Sequence, residues 1–169
     1  DVDGAVTFLR DDEIDWHLRR IGEFEGRTIL LSHHQLFSAF SSIGKPGSVQ
    51  SACNPYLLQM FIEMQASGRV SAWFWGHEHS LSIYEPFLGL SHGRCIGHGG
   101  IPVEVSEPIY EPLESLRRPP TVKADTALST NGSIYANGFA MLTLGTCGMP
   151  CLAEYFQCQN GQVEKVFSE

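Results

Sequence analysis

Apolar positions along this chain fall into short blocks divided by polar and glycine-rich stretches, and the spacing inside each block predicts its element. In Asp11–Ile21, DDEIDWHLRRI, the apolar residues Ile14, Leu18 and Ile21 recur at helical spacing. Acidic residues open this segment and arginines close it, as the helix dipole favours. Thr28–Leu31 (TILL) is too short for a helix and reads as a buried strand that ends in Ser32-His33-His34-Gln35. Asn54 and Pro55 supply a cap and a first turn for a second helix, Pro55–Ala66, with Leu58, Phe61, Ile62 and Met64 apolar and Gly68 as its stop. Val70–Trp75 (VSAWFW) is the next strand and runs into Gly76-His77-Glu78-His79. Strand, helix, strand in that order predicts a parallel pair joined by a right-handed crossover. Both polar clusters then lie at C-terminal strand ends, the edge where open α/β sheets bind ligands.

Further on, Leu81–Leu90 and Arg94–Val103 read as shorter strands around Gly93. Residues 102–123 form a Pro- and Glu-rich loop, with Pro108, Pro112, Pro119 and Pro120, long enough to shape a site. Ser133–Leu144, Leu152–Gln157 and Val163–Phe167 complete the chain as strands, and Asn160-Gly161 is a hairpin turn signal between the last two. No internal repeat is present.

The chain has 169 residues, 43% of them hydrophobic, enough for one domain with a core. Its net charge of −8 repels a phosphate backbone, which argues against non-specific nucleic-acid binding. A phosphate substrate remains compatible, because bound metal ions reverse the local field. No apolar run reaches the length of a membrane span. The sequence opens on Asp1 without a signal peptide, so its natural start is expected upstream. The five cysteines, Cys53, Cys95, Cys147, Cys151 and Cys158, are odd in number and lack tight zinc-type pairing. They read as small apolar thiols of a reducing compartment, the cytoplasm.

The chemistry-bearing residues are histidines. His77 and His79 place two imidazoles on one side of an extended backbone, and Gly76 before them permits a sharp turn or close approach. Imidazole is a common donor to first-row transition metals. Alone, an HxH pair also suits two surface histidines in a turn. Its position after an apolar strand, with His33 and His34 after the preceding strand, favours a metal site.

LLSHH (Leu30 to His34) and GHEH (Gly76 to His79) resemble motifs of the calcineurin-like metallophosphoesterase family. NGFAMLTL (Asn137 to Leu144), LAEYF and NGQVEKV resemble that family's closing strands. The resemblance runs through nearly the whole chain and implies the C-terminal half of an α/β, two-sheet β-sandwich flanked by helices, a single partial domain over residues 1–169. It implies metal ligands at His33, His77 and His79, with His33 on one ion, His77 on that ion or its neighbour, and His79 on the other. His34 and His98 are candidates to hydrogen-bond a metal ligand or to touch substrate, while His17 and His92 read as solvated. The implied cofactors are two metal ions (Mn, Fe or Zn), and the implied activity is hydrolysis of a phosphate mono- or diester.

The family's DxH, GD and GNH motifs are absent; DVDG at Asp1 to Gly4 is not DxH. The bridging carboxylate and about half of the first shell are therefore lacking. The chain is expected to be weakly active or inactive alone, to need an N-terminal half as partner, and to self-associate through an unpaired sheet edge. Two other readings stay open: a cupin-type site that would recruit Glu85 and His98, and a non-catalytic metal-binding or interaction module.

Overall fold

A computed structural model describes residues 8–45, 48, 51–146 and 148–169. The DVDG segment, part of the Ser- and Gly-rich stretch after Ser41, and Cys147 lie outside the described residues. Helix α1 (Asp11–Glu23) runs one short step past its expected end. The Glu13 carboxylate accepts the Arg10 amide at 2.9 Å and so satisfies a donor at the helix start. Strand β1 (Thr28–Ser32), helix α2 (Pro55–Gln65) and strand β2 (Val70–Trp75) follow, close to their expected bounds. The Asn54 side chain accepts from the Tyr56 and Leu57 amides, both at 3.1 Å, with Pro55 at the first turn. Gly68 has φ of 64° and stops the helix as expected.

β1 and β2 pair in parallel, with Leu30 opposite Trp73 and Ser32 opposite Trp75. β4 (His92–Ile96) continues the parallel sheet on the far side of β2, and β3 (Leu81–Ile83) pairs antiparallel to β4, giving the order β1-β2-β4-β3. The shorter strands expected over Leu81–Leu90 and Arg94–Val103 are briefer still, and Gly93 lies inside β4 and not between the two. The first ends in bridges and turns after Ile83, and the second gives way to a 3-10 turn, Gly97–Gly99. Glycines at both ends of that turn disfavour continuing the strand.

β5 (Thr130–Asn131) and β6 (Ile134–Tyr135) form a small hairpin. β7 (Asn137–Thr143), β8 (Leu152–Gln159) and β9 (Gln162–Ser168) build a second, antiparallel sheet. The stretch from Ser133 to Leu144 is therefore two strands, broken at Ala136, whose amide bonds to the Ser129 carbonyl. Asn160 and Gly161, both at positive φ, make the expected turn between β8 and β9.

β2 shows why three layers form. Trp73 and Trp75 face the helices, joining Ile21, Leu57, Phe61 and Met64 in one core. Ala72 and Phe74 face the other way and meet Ala153, Tyr155, Ala140 and Leu142 of the second sheet. Helices, mixed sheet and antiparallel sheet stack in that order, an α/β arrangement of two packed sheets with helices on the outer face. One polar clasp crosses the inter-sheet core. Arg94, only 1% exposed, donates from Nε and Nη2 to the two oxygens of Glu169, each at 2.6 Å, and Tyr155 donates to Glu169 at 2.8 Å.

The Pro-rich loop is also pinned. The Tyr110 hydroxyl donates to the Leu81 carbonyl at 3.2 Å and accepts the Leu128 amide at 3.1 Å. No helix among the described residues is long and apolar enough to cross a membrane.

Candidate metal centre

The register of β1 on β2 brings the two histidine segments side by side. Ser32 lies opposite Trp75, so the next residues, His33 and Gly76, leave the sheet together, and the Gly76 amide donates to the His33 carbonyl at 3.0 Å. The chain bends at His33 and His34, and both imidazoles come to one side. Ser32 Oγ stabilises that bend by donating to the His34 carbonyl at 2.8 Å, while it accepts from Trp73 Nε1 at 2.9 Å.

His77 takes the sharp turn that the sequence assigned to Gly76. Its φ is 58°, left-handed for a residue that carries a side chain. A non-glycine residue held there stores local strain, and such residues concentrate at functional sites. Gly76 has no positive φ, and a Cβ there would sit 3.8 Å from His33 Nδ1, an ordinary contact.

The turn aims His77 at the other cluster. His77 Nδ1 and His33 Nε2 are 3.3 Å apart, and the His34 ring centroid lies 4.5 Å from that of His77 and 4.9 Å from that of His33. One nitrogen from each of His33, His34 and His77 falls within 4.8 Å of the other two. Burial, reinforced by the charges of His77 and His33, holds His34 below the ordinary imidazole range. Burial, with His33 and His79, does the same for His77. Neutral imidazoles are the form that binds metal.

His79 stands apart from this trio. It is exposed and lines a neighbouring cavity of about 310 Å³ with Phe40, Ser41, Glu78 and Glu107. The Pro-rich loop, which the sequence marked as long enough to shape a site, therefore walls a cavity beside the GHEH segment through Val103 and Glu107–Ile109, with Phe40 and Ser41 opposite. His98 faces inward. It is 1% exposed, its Nε2 sits 3.1 Å from the Phe156 carbonyl, and its ring packs where a Cβ on Gly138 would fall within 2.7 Å. The second sheet thus takes this imidazole out of the pocket it was expected to approach. His92 is not simply solvated, since its Nδ1 lies 3.1 Å from Glu169. His17 lines a small cavity of about 250 Å³ with Leu30, His33 and His34. The cupin candidates do not meet the pair: Glu85 binds Lys123 at 3.2 Å, and His98 is buried elsewhere.

Two supporting residues were not singled out in the sequence. Both carboxylate oxygens of Glu78 are buried without a hydrogen bond, and burial raises its pKa against the pull of the Ser38 and Ser41 hydroxyls. Its place between two candidate ligands was the available signal. Cys95 is fully buried beneath the loop, with its thiol 3.4 Å from the Glu78 carbonyl and 3.6 Å from those of Gly76 and Ser80. Burial pushes that thiol up to about 12, so it stays protonated and able to donate. Gly97 is required beside it, because a Cβ would come within 2.0 Å of the Glu78 carbonyl oxygen. Cys53, Cys95, Cys151 and Cys158 are free, and among the described residues no cysteine joins a metal-ligand cluster.

No family model matches this sequence, and no curated protein matches it. Among solved structures, the chain is similar to the purple acid phosphatase PPD1 from yellow lupin (Lupinus luteus) seeds. The TM-score is 0.54 at 16% sequence identity, and the match covers 95% of this chain and 28% of the phosphatase chain. At that identity the likeness is one of fold. The chain has an α/β, two-sheet fold similar to part of that phosphatase and spans little more than a quarter of its length.

Proposed function

We propose that this chain supplies the histidine side of a metal centre that hydrolyses a phosphate mono- or diester. The observation that carries this reading is the 3.3 Å approach of His77 Nδ1 to His33 Nε2 at adjacent C-terminal ends of parallel strands. It occurs in a fold similar to that of a purple acid phosphatase.

The residues present fit a metal. The three imidazoles converge, two are biased toward the neutral form, and one buried nitrogen, His34 Nε2, has no other partner. Nitrogen donors of this kind suit Zn, Mn or Fe. In a complete two-ion centre, His33 would hold one ion, His77 the same ion or its neighbour, and His79 the second. The remaining ligands, carboxylates among them, would have to come from residues outside this chain. Bound ions of this type lower the pKa of a coordinated water and polarise phosphoryl oxygens. The chain's own residues orient the donors: Ser32 fixes the His34 bend, the left-handed His77 turns its ring inward, and Cys95 holds the loop from below. The cavity lined by His79 and Glu78 adjoins these donors and would give an ester's organic group room.

A second reading, a metal-binding or interaction module without turnover, draws on one observation. Among the described residues no carboxylate joins the three imidazoles. Hydrolysis of p-nitrophenyl phosphate and bis(p-nitrophenyl) phosphate with added Mn, Fe or Zn separates the two. The chain alone should show little turnover, and a protein that restores the N-terminal half should show metal-dependent hydrolysis lost in His77→Ala. No hydrolysis by the completed protein would leave the module reading standing.

A further inference from the structure

We infer that His34 is a direct metal ligand and that His33, His34 and His77 form a three-imidazole site able to hold one zinc-like ion on this chain alone. The inference rests on the metal centre proposed above and deepens it, because one of its ions is then bound by this chain's own side chains alone.

Four observations support it, none of them a titration. First, a tetrahedral zinc with Zn–N bonds of about 2.0–2.1 Å requires its nitrogen donors to be about 3.3–3.4 Å apart. The His77 Nδ1 to His33 Nε2 distance is 3.3 Å, and the third nitrogen, from His34, lies within 4.8 Å of both. Completing the donor set requires the His34 nitrogen to close from that separation to about 3.4 Å. Second, His34 Nε2 is buried and has no hydrogen-bond partner, although its ring stands beside the other two. A buried polar nitrogen without a partner costs stability, and a metal bond removes that cost. Third, His77 holds a left-handed backbone at the centre of a tight turn closed by the Glu78 amide on the Gly76 carbonyl at 2.7 Å, and its ring stands beside those of His33 and His34. Fourth, the bend at His33 and His34 brings successive side chains to one side, where an extended strand would send them to opposite faces.

Three protein donors leave a fourth position open, the pattern of a catalytic rather than a structural zinc site. His79 lies outside the trio, on the adjoining cavity, and is free to serve another ion or the substrate.

The test is titration of the metal-free chain with Zn²⁺ by calorimetry and with Co²⁺ by visible absorption. The wild type should take up one ion per chain, and the Co²⁺ form should show the strong bands of a four-coordinate site. His33→Ala, His34→Ala and His77→Ala should each weaken binding at least tenfold. His34→Gln, which keeps most of the side-chain volume, should weaken it similarly while circular dichroism shows the fold retained. His17→Ala, beside the trio but outside it, should bind as the wild type does. Wild-type affinity in both folded His34 variants would overturn the assignment, as would a tenfold loss in His79→Ala with none in His34→Ala. Phosphate-ester assays report on the proposed activity separately: if this chain binds one ion through His34 yet the protein completed with an N-terminal half supports no hydrolysis, this site stands and the phosphoesterase reading is discarded.

Discussion

At the scale of single residues, the site is built from side chains held in costly states. Glu78 is the clearest case, a carboxylate with both oxygens buried and unbonded between two histidines. Because burial raises its pKa, the folded chain binds that proton more tightly than the unfolded chain does. Stability is therefore lost as pH rises above the ordinary glutamate range and regained as it falls. Glu78→Gln should stabilise the metal-free chain at pH 7, because the amide carries no charge for burial to disfavour. The gain should shrink as pH falls toward about 4.3. Urea midpoints at a series of pH values check both statements, and a destabilised Gln variant would contradict them. The histidine motifs were legible in the sequence because HxH after an apolar strand is a local pattern. The convergence of His34 was not, since it depends on a bend and on a left-handed His77 that no spacing encodes.

At the scale of elements, local signals were the readable ones. Asn54-Pro55 marked the start of α2, and the Asn54 side chain caps it as such a residue should. Asn54→Ala should lower stability by about 1 kcal/mol in denaturant unfolding, with the metal ligands left in place. The run VSAWFW is apolar throughout because helices cover one face of β2 and a sheet covers the other. The strands after Glu78 were harder to read. Gly97 and Gly99 stop β4 for tertiary reasons: Gly97 lies against the Glu78 carbonyl and Gly99 against that of Gly138, contacts far apart in sequence. Gly97→Ala should therefore disturb the GHEH loop and weaken metal binding more than Gly76→Ala, whose Cβ meets only ordinary contacts. Comparing Zn²⁺ affinity in the two variants tests that order.

At the scale of the whole molecule, the two sheets are joined by an apolar core with one buried charge pair through it. Burial works to raise the Glu169 pKa, but hydrogen bonds and charge from Arg94, with Tyr155 and His92, outweigh it and hold the carboxyl at about 2. A depressed pKa means stability that is present above the ordinary glutamate range and lost as pH falls toward that value. Glu169→Gln should cost about 3 kcal/mol at pH 7, because it strands the buried Arg94 guanidinium. The deficit should narrow between about pH 4 and pH 2 in acid-titrated unfolding. This clasp was invisible in sequence, since Arg94 and Glu169 lie on different sheets and 75 positions apart. The layered α/β class was visible, because strand–helix–strand order and alternating closing strands leave few alternatives.

β1 is the end strand of its sheet among the described residues, and Leu31 on it is 71% exposed. That edge is where further strands, and the ligands they would bring, have room to pair. The first ion does not wait for them if His33, His34 and His77 form a site. Elemental analysis of the purified chain after saturation with Zn, Mn or Fe and exhaustive dialysis tests this most directly. The account predicts close to one metal ion per wild-type chain and almost none in His77→Ala. A metal-free wild-type chain, folded by circular dichroism, would contradict it.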